Sequence, residues 1–367
     1  MTNTYDAVVI GAGAGGLFTA ARLSHQGYRT LVVESLDKVG GRASTTDIDG
    51  FKVNDGAIVI ECGGITQQTC EEVGAKFEIR EPSPPILYRI GGKDVDVTGG
   101  GWGLLMGKLT RSGAKLVTGI GAARNDSGLP EDELSTADWV RKYTKNEGVH
   151  GIFRNMCASV FAVSSEELPA RVFLTYFTRK SAFKRFGFHP EGTIGLWKAL
   201  AEAIEANGGE IRLSTTATAI KVEDGRVVGV ELSSDNSTEL VTAPVVVSNV
   251  GPWATGELAG YSVDAAYRPC SMITVNFASQ QPLIAAPGML SFAKSRRLAY
   301  IANFTDICPE MAPEGWHLYV GTAVPSPAVG DFDEARILST TVTRDDWPPQ
   351  RAVAGFDLPH DTHIAGL

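Results

Sequence analysis

The sequence predicts an α/β protein in which a dinucleotide-binding domain built on a parallel sheet is interleaved with an α+β domain of antiparallel sheet plus helices. Three observations predict it. The 367 residues are enough for about two domains. The first forty residues run strand, glycine-rich turn, helix, strand. Residues 268–325 break into short runs that alternate apolar and polar, the period of a half-buried antiparallel sheet.

Val8, Val9 and Ile10 form a continuous apolar run, the mark of a strand buried on both faces. Gly11-Ala12-Gly13-Ala14-Gly15-Gly16 follows at once. Leu17, Ala20, Ala21 and Leu23 then recur at helical spacing until Gly27 stops the helix. Leu31-Val32-Val33 is a second strand, and Glu34 ends it. In this G-x-G-x-x-G context Gly11 permits a tight turn, Gly13 lets the backbone approach a pyrophosphate, and Gly16 lets the helix pack close to the sheet. The helix start, through Ala14 and Gly15, offers N–H groups and a partial positive charge to phosphates. Glu34, 18 residues beyond Gly16, is placed to accept hydrogen bonds from a ribose diol.

Composition excludes several classes. The net charge is −9, so the basic face that nucleic acid demands is not expected. Five widely spaced cysteines with no C-x-x-C suggest neither a disulfide framework nor a zinc site, and a reducing, cytoplasmic compartment fits best. His360 and His363 lack any accompanying carboxylate or cysteine cluster, so no metal is expected. The apolar stretch 7–21 follows no Lys or Arg and is interrupted by glycines, so it does not read as a signal peptide. No run of about 20 apolar residues occurs, and no transmembrane helix is expected.

The residues after Glu34 narrow the dinucleotide. Ser35-Leu36-Asp37-Lys38-Val39-Gly40-Gly41-Arg42-Ala43 resembles the E-x(4–5)-G-G-R-[AS] signature of flavin-dependent oxidoreductases of the phytoene desaturase, carotenoid isomerase and flavin amine oxidase superfamily. The resemblance implies FAD as cofactor and a Rossmann-like FAD-binding domain. It also implies that Ser35, Gly41, Arg42 and Ala43 belong to the cofactor site. Independently, two glycines let the loop run close to a cofactor, and Arg42 is a fixed cation for a diphosphate or the flavin edge. Asp55-Gly56-Ala57 matches the family's D-x-G-[AP] stretch, which carries Gly56 and Ala57 over as flavin-lining residues.

Further along, Ile86 to Ile90 is β-like, Ser135-Thr136-Ala137-Asp138 reads as a capped helix start, and residues 148–164 have an amphipathic helical pattern. Then comes a compositional anomaly. Seven aromatics fall within 161–188, in a chain that is 8% aromatic. Arg171, Arg179, Lys180, Lys184 and Arg185 lie there with no acid between Leu168 and Pro190. A core helix with a solvated basic edge accounts for this. So does an apolar substrate pocket with a basic mouth at 171–185 that meets a membrane surface or an anionic substrate. On the second reading Phe173, Tyr176, Phe177, Phe183 and Phe186 line the substrate site.

From Pro190 the order is P-x-G, a helix from Leu196 to Asn207, a strand from Glu210, a β-meander turning at Glu223-Asp224-Gly225, and the strand Val245-Val246-Val247-Ser248-Asn249. This block resembles phytoene desaturases and carotenoid isomerases. It implies that Thr218 and Ala219 approach the adenine and that Asn249 returns to the cofactor. The implied domain plan is 1–75, 190–260 and 336–367 for the FAD-binding domain, with 76–189 and 261–335 for the substrate domain.

The flavin would carry the redox chemistry while the protein orients the substrate and excludes water. Amine oxidases of the superfamily often place a Lys beside the flavin on a substrate-domain strand. The counterpart stretch here, 268–283, has none. The expected function is therefore FAD-dependent desaturation, dehydrogenation or isomerisation of an apolar, isoprenoid-like substrate. A flavin amine oxidase is the alternative. A non-catalytic lipid- or partner-binding protein of the GDP-dissociation-inhibitor type is the alternative of another class. No catalytic base is assigned, and His189 is the one weak candidate. The resemblance also implies a closing G-D segment with a glycine-rich helix start after the last strand, where this chain reaches Leu367. Family members also carry a helix near Gly330–Arg336, for which this chain leaves no room, and the stretch 260–267 reads as short. Omitted residues or a shortened variant are the expectation.

Overall fold

The computed structural model describes residues 4–96, 118–123, 128–131, 133–178, 185–234, 237–263, 272–295 and 298–324. The apolar run at the N-terminus forms β1 (Ala7–Ile10), followed by α1 (Ala14–His25) and β2 (Thr30–Val33). The hairpin of β3 (Thr45–Ile48) and β4 (Phe51–Asn54) comes next, then β5 (Ile60–Glu61) and α2 (Ile65–Val73). A second hairpin, β6 (Ile86–Ile90) and β7 (Lys93–Asp96), precedes the helices α3 (Thr136–Arg141), α4 (Glu147–Phe161) and α5 (Ala170–Thr178). Then follow β8 (Phe186–Gly187), α6 (Ile194–Ala206) and β9 (Glu210–Arg212). The meander is β10 (Thr216–Glu223), β11 (Arg226–Ser234) and β12 (Ser237–Thr242). Next come β13 (Val246–Ser248) and α7 (Pro252–Ala259), and last β14 (Ile273–Ser279), β15 (Met289–Phe292), β16 (Tyr300–Asn303) and β17 (His317–Ala323).

A four-stranded parallel sheet in the order β13-β1-β2-β9 carries the N-terminal unit. Its central strands β1 and β2 are apolar at consecutive positions because both faces are covered. Val9 and Val32 meet Leu17, Ala20, Leu196, Leu200 and Ile204 of α1 and α6. Val8, Ile10, Leu31 and Val33 meet Ile220, Val230, Leu232 and Val241 of the meander.

The second large sheet has the order β14-β17-β16-β15-β6-β7. The strands of 268–325 pair antiparallel as expected, and β15 in addition pairs with β6 in parallel, Leu290 opposite Leu87. The early hairpin thus completes a sheet whose other strands arrive some two hundred residues later, and parallel pairing requires such a crossover. Helix α4 lies on this sheet. A Cβ at Gly151 would stand 1.7 Å from the Ala293 carbonyl oxygen, so only glycine permits the approach. Helix α3 begins as its sequence implies, with Ser135 Oγ accepting from Asp138 N at 3.1 Å. The proposed tail segment 336–367, the stretch near Gly330–Arg336, and Phe183, Arg179, Lys180 and Lys184 lie outside the described residues, as do 264–267.

Candidate functional site

The carboxyl ends of β1 and β2 converge on one loop cluster, the place where open α/β sheets bind ligands. Gly11 turns there with φ +95°. A Cβ on Gly16 would lie 2.0 Å from Gly11 O and 3.3 Å from Val9 Cγ1, so this glycine sets how closely α1 seats on the sheet. Gly13 is the N-cap of α1 and supplies no side-chain cap, which leaves the helix start open to an external acceptor. The Asn249 side chain lies over this start. Its Nδ2 would be 2.9 Å from a Gly13 Cβ and its Oδ1 2.6 Å from a Gly15 Cβ. Asn249 is held there by its backbone N–H, which donates to Ile10 O at 2.8 Å.

Glu34 is buried and is committed to the loop. Its Oε2 accepts from Ala12 N at 2.8 Å, and its Oε1 accepts from Leu36 N at 3.0 Å and from Ser35 Oγ at 3.2 Å. The carboxylate therefore fixes the first glycine turn as well as facing the pocket beside it.

The Gly40-Gly41-Arg42-Ala43 loop rests directly on the glycine turn. Gly40 N donates to Ala12 O at 2.8 Å, and a Cβ on Gly41 would lie 3.4 Å from Gly13 Cα. Trp197 Nε1 holds the loop from α6 by donating to Ala43 O at 2.6 Å. Gly56 presses on the same loop: a Cβ there would lie 1.7 Å from Arg42 O, and Ala57 N donates to that oxygen at 3.1 Å. Lys38 Nζ reaches Asp55 Oδ2 and Thr46 Oγ1, each at 2.6 Å, and ties the loop to the β4 end. The residues expected near the cofactor from 11–16, 34–43 and 55–57, with Asn249, therefore form one connected set of loops.

A pocket of about 330 Å³ opens beside Glu34. Ile10, Gly11, Val33, Glu34 and Ser35 form one wall, Thr215 to Thr218 a second, and Val250, Ala254, Glu257 and Leu258 a third. Thr218 lines it, whereas Ala219 is not among its lining residues. The third wall was not anticipated from the sequence. Its signal was present in Gly251-Pro252, with proline at the first helical turn, and in Gly260, the left-handed stop of α7 at φ +75°.

The residues expected at the substrate separate. Phe173, 2% exposed, is packed among helices α3 to α5, with ring centroids 5.3 Å from Phe153 and 4.7 Å from Phe177. Phe186, also 2% exposed, is packed beneath the six-stranded sheet with Phe188 and Phe304. These two rings serve the core. Tyr176 and Phe177 are only partly buried and pack edge-to-face against Phe161. Burial, and then the nearby charge of Glu61, push the Tyr176 phenol pKa up. His189 is taken up by its turn: Nδ1 accepts from Glu191 N at 3.0 Å, and the ring fills the space that a Gly195 Cβ would need. Burial lowers its pKa, so it sits there as neutral imidazole. In the basic segment, Arg185 is paired with Glu81, Nε to Oε2 at 2.9 Å. No helix among the described residues is long and apolar enough to cross a membrane.

Comparison with known proteins agrees with this geometry. Residues 14–343 match the family described as flavin containing amine oxidoreductase. An uncharacterised protein of Methanocaldococcus jannaschii is 24% identical over 95% of this chain and 89% of its own length. A neurosporene-forming phytoene desaturase of Rhodobacter capsulatus is 29% identical over 66% of this chain, and the match spans 52% of that enzyme. The chain thus spans about half the length of the curated desaturase that it matches. Among solved structures, an oxidoreductase from Methanosarcina mazei superposes with a TM-score of 0.83 at 24% identity, covering 98% of this chain and 93% of that one.

Proposed function

This chain belongs to the flavin-containing amine oxidoreductase family and is a flavin-dependent oxidoreductase; from that premise we propose that its flavin is FAD and its substrate an apolar, isoprenoid-like molecule. The observation that carries the FAD reading is the joined glycine cradle. Gly11, Gly13, Gly15 and Gly16, with Gly41 and Arg42 laid across them, give a diphosphate close backbone on two sides. An adenosine-sized pocket adjoins it next to Glu34. A mononucleotide would leave that pocket without a role.

When bound, the flavin supplies hydride or electron transfer. The chain's own residues hold and orient it. The open start of α1 takes the pyrophosphate, and Glu34 takes the ribose while keeping Ala12 N–H paired. Arg42 supplies a fixed cation, and Gly56 and Ala57 border the ring system through their contact with the Arg42 carbonyl. Hydride transfer from an activated C–H bond needs fixed geometry more than a strong base. His189 has no proton-transfer role in this reading, because its ring is committed to the turn. The apolar substrate is supported by the desaturase relative and by the half-buried rings of Tyr176 and Phe177. The absence of lysine from 268–283 also supports it over an amine.

The test is reconstitution followed by reduction. Purified protein should bind FAD more tightly than FMN, read by flavin fluorescence. Under anaerobic conditions phytoene in liposomes should bleach the flavin and putrescine should not. Bleaching by putrescine alone would replace the isoprenoid reading with an amine oxidase. Absence of any flavin binding would favour a partner-binding role for the same fold.

A further inference from the structure

Helix α7 is an eight-residue segment pinned from below. Thr255 Oγ1 lies 2.6 Å from Ser248 Oγ and donates to Gly251 O at 2.7 Å. Gly256 faces Tyr261 O, where a Cβ would come within 2.7 Å. With that face buried, Ala254, Glu257 and Leu258, at positions i, i+3 and i+4, share the face that lines the pocket. Across from them runs Thr216 to Thr218 of β10, an edge strand of the meander.

The polar side chains of the pocket are otherwise largely committed. Glu34 accepts three hydrogen bonds, including that of Ser35. Thr215 Oγ1 donates to Leu213 O at 3.0 Å, and Thr218 Oγ1 donates to Glu231 O at 3.2 Å. Glu257 is the second carboxylate of the pocket, and its side chain makes no hydrogen bond or ion pair with the other described residues. It lies on α7, which packs beside β10, the strand whose Thr218 is expected at the adenine, and so faces the space proposed for the base.

A carboxylate only accepts hydrogen bonds. At the purine 6-position adenine presents an amine, which donates. Hypoxanthine presents a carbonyl, which a carboxylate repels. We propose that Glu257 reads the base of the dinucleotide, accepting from the 6-amine and selecting adenine over 6-oxo purines. This inference rests on the reading of the pocket as the adenosine end of an FAD site.

The experiment titrates flavin-stripped protein with ADP and with IDP in a calorimeter. The two probes carry the same charge, so their affinity ratio cancels any general repulsion of phosphate by Glu257. Wild type should prefer ADP by about fivefold, the worth of one partly solvated hydrogen bond. Glu257→Ala should bring the two within twofold. Glu257→Gln, which can accept or donate, should do the same. Because Glu257 is exposed, both variants should keep the wild-type melting temperature. A preference that survives in Glu257→Ala, or no preference in wild type, would overturn the role of Glu257 and leave the FAD reading standing. Failure of FAD, ADP and IDP alike to bind would overturn the cofactor reading, and the inference with it.

Discussion

Replacing Glu34 by alanine removes an acceptor shared by three donors at the heart of the glycine-rich loop cluster. Ala12 has no exposed surface, so once its 2.8 Å partner is gone its N–H cannot turn to water. An unpaired buried donor costs about 1–3 kcal/mol, and a bond to a carboxylate belongs in the upper half of that range. Leu36 is 48% exposed and Ser35 is also exposed, so their donors are rehydrated and add little. The expected loss of stability is therefore about 2–3 kcal/mol in the flavin-free protein. Urea unfolding followed by tryptophan fluorescence measures it, and FAD titration of the same variant should show affinity at least about tenfold weaker. Glu34→Gln should fall between, because its amide oxygen can still accept from Ala12 N while its NH₂ faces the Leu36 and Ser35 donors. An unfolding midpoint for Glu34→Ala equal to that of wild type would refute the claim that this carboxylate builds the turn. Unchanged FAD affinity would refute its ribose role.

Gly16→Ala forces a Cβ to 2.0 Å from the Gly11 carbonyl oxygen, and the overpacking should cost about 3 kcal/mol and displace the helix start. The flavin-to-protein ratio after purification should collapse, and full loading would contradict the packing argument. Thr322 is fully buried on β17 between Thr274 and Tyr300 in adjacent strands, and its Oγ1 approaches the Tyr300 side chain without making a well-formed hydrogen bond among the described residues. Thr322→Val should therefore leave stability unchanged or raise it by about 1 kcal/mol, and a lower melting temperature would mean that the hydroxyl is bonded. Burial holds the folded-state pKa of His189 below its unfolded value of about 6.5, so the unfolded chain binds the extra proton first. Its contribution is fully present above that value and is lost as pH falls through the window beneath it. His189→Asn, which keeps an acceptor for Glu191 N, should flatten that part of the urea-midpoint profile between pH 7.5 and 5.5.

Local chain chemistry determined the joined glycine loops. Gly11, Gly13, Gly16 and Glu34 are within 24 residues of one another, and Gly40-Gly41-Arg42 follows soon after. Their roles depend on backbone conformation and on strand and helix periods, which a sequence states directly. The Ser135 cap, helices α4 and α6, and the meander were legible for the same reason. Tertiary structure decided what depends on which surfaces meet. The aromatic segment 161–188 reads as one enrichment, yet folding sends Phe173 into the helical cluster and Phe186 beneath the sheet, leaving Tyr176 and Phe177 half-buried. An aromatic ring fits a core and a cavity equally well, so composition cannot choose between them. The parallel pairing of β6 with β15 and the α7 wall of the pocket join segments about two hundred residues apart. Such contacts follow from mutual burial of apolar faces, which carries no local mark in the chain.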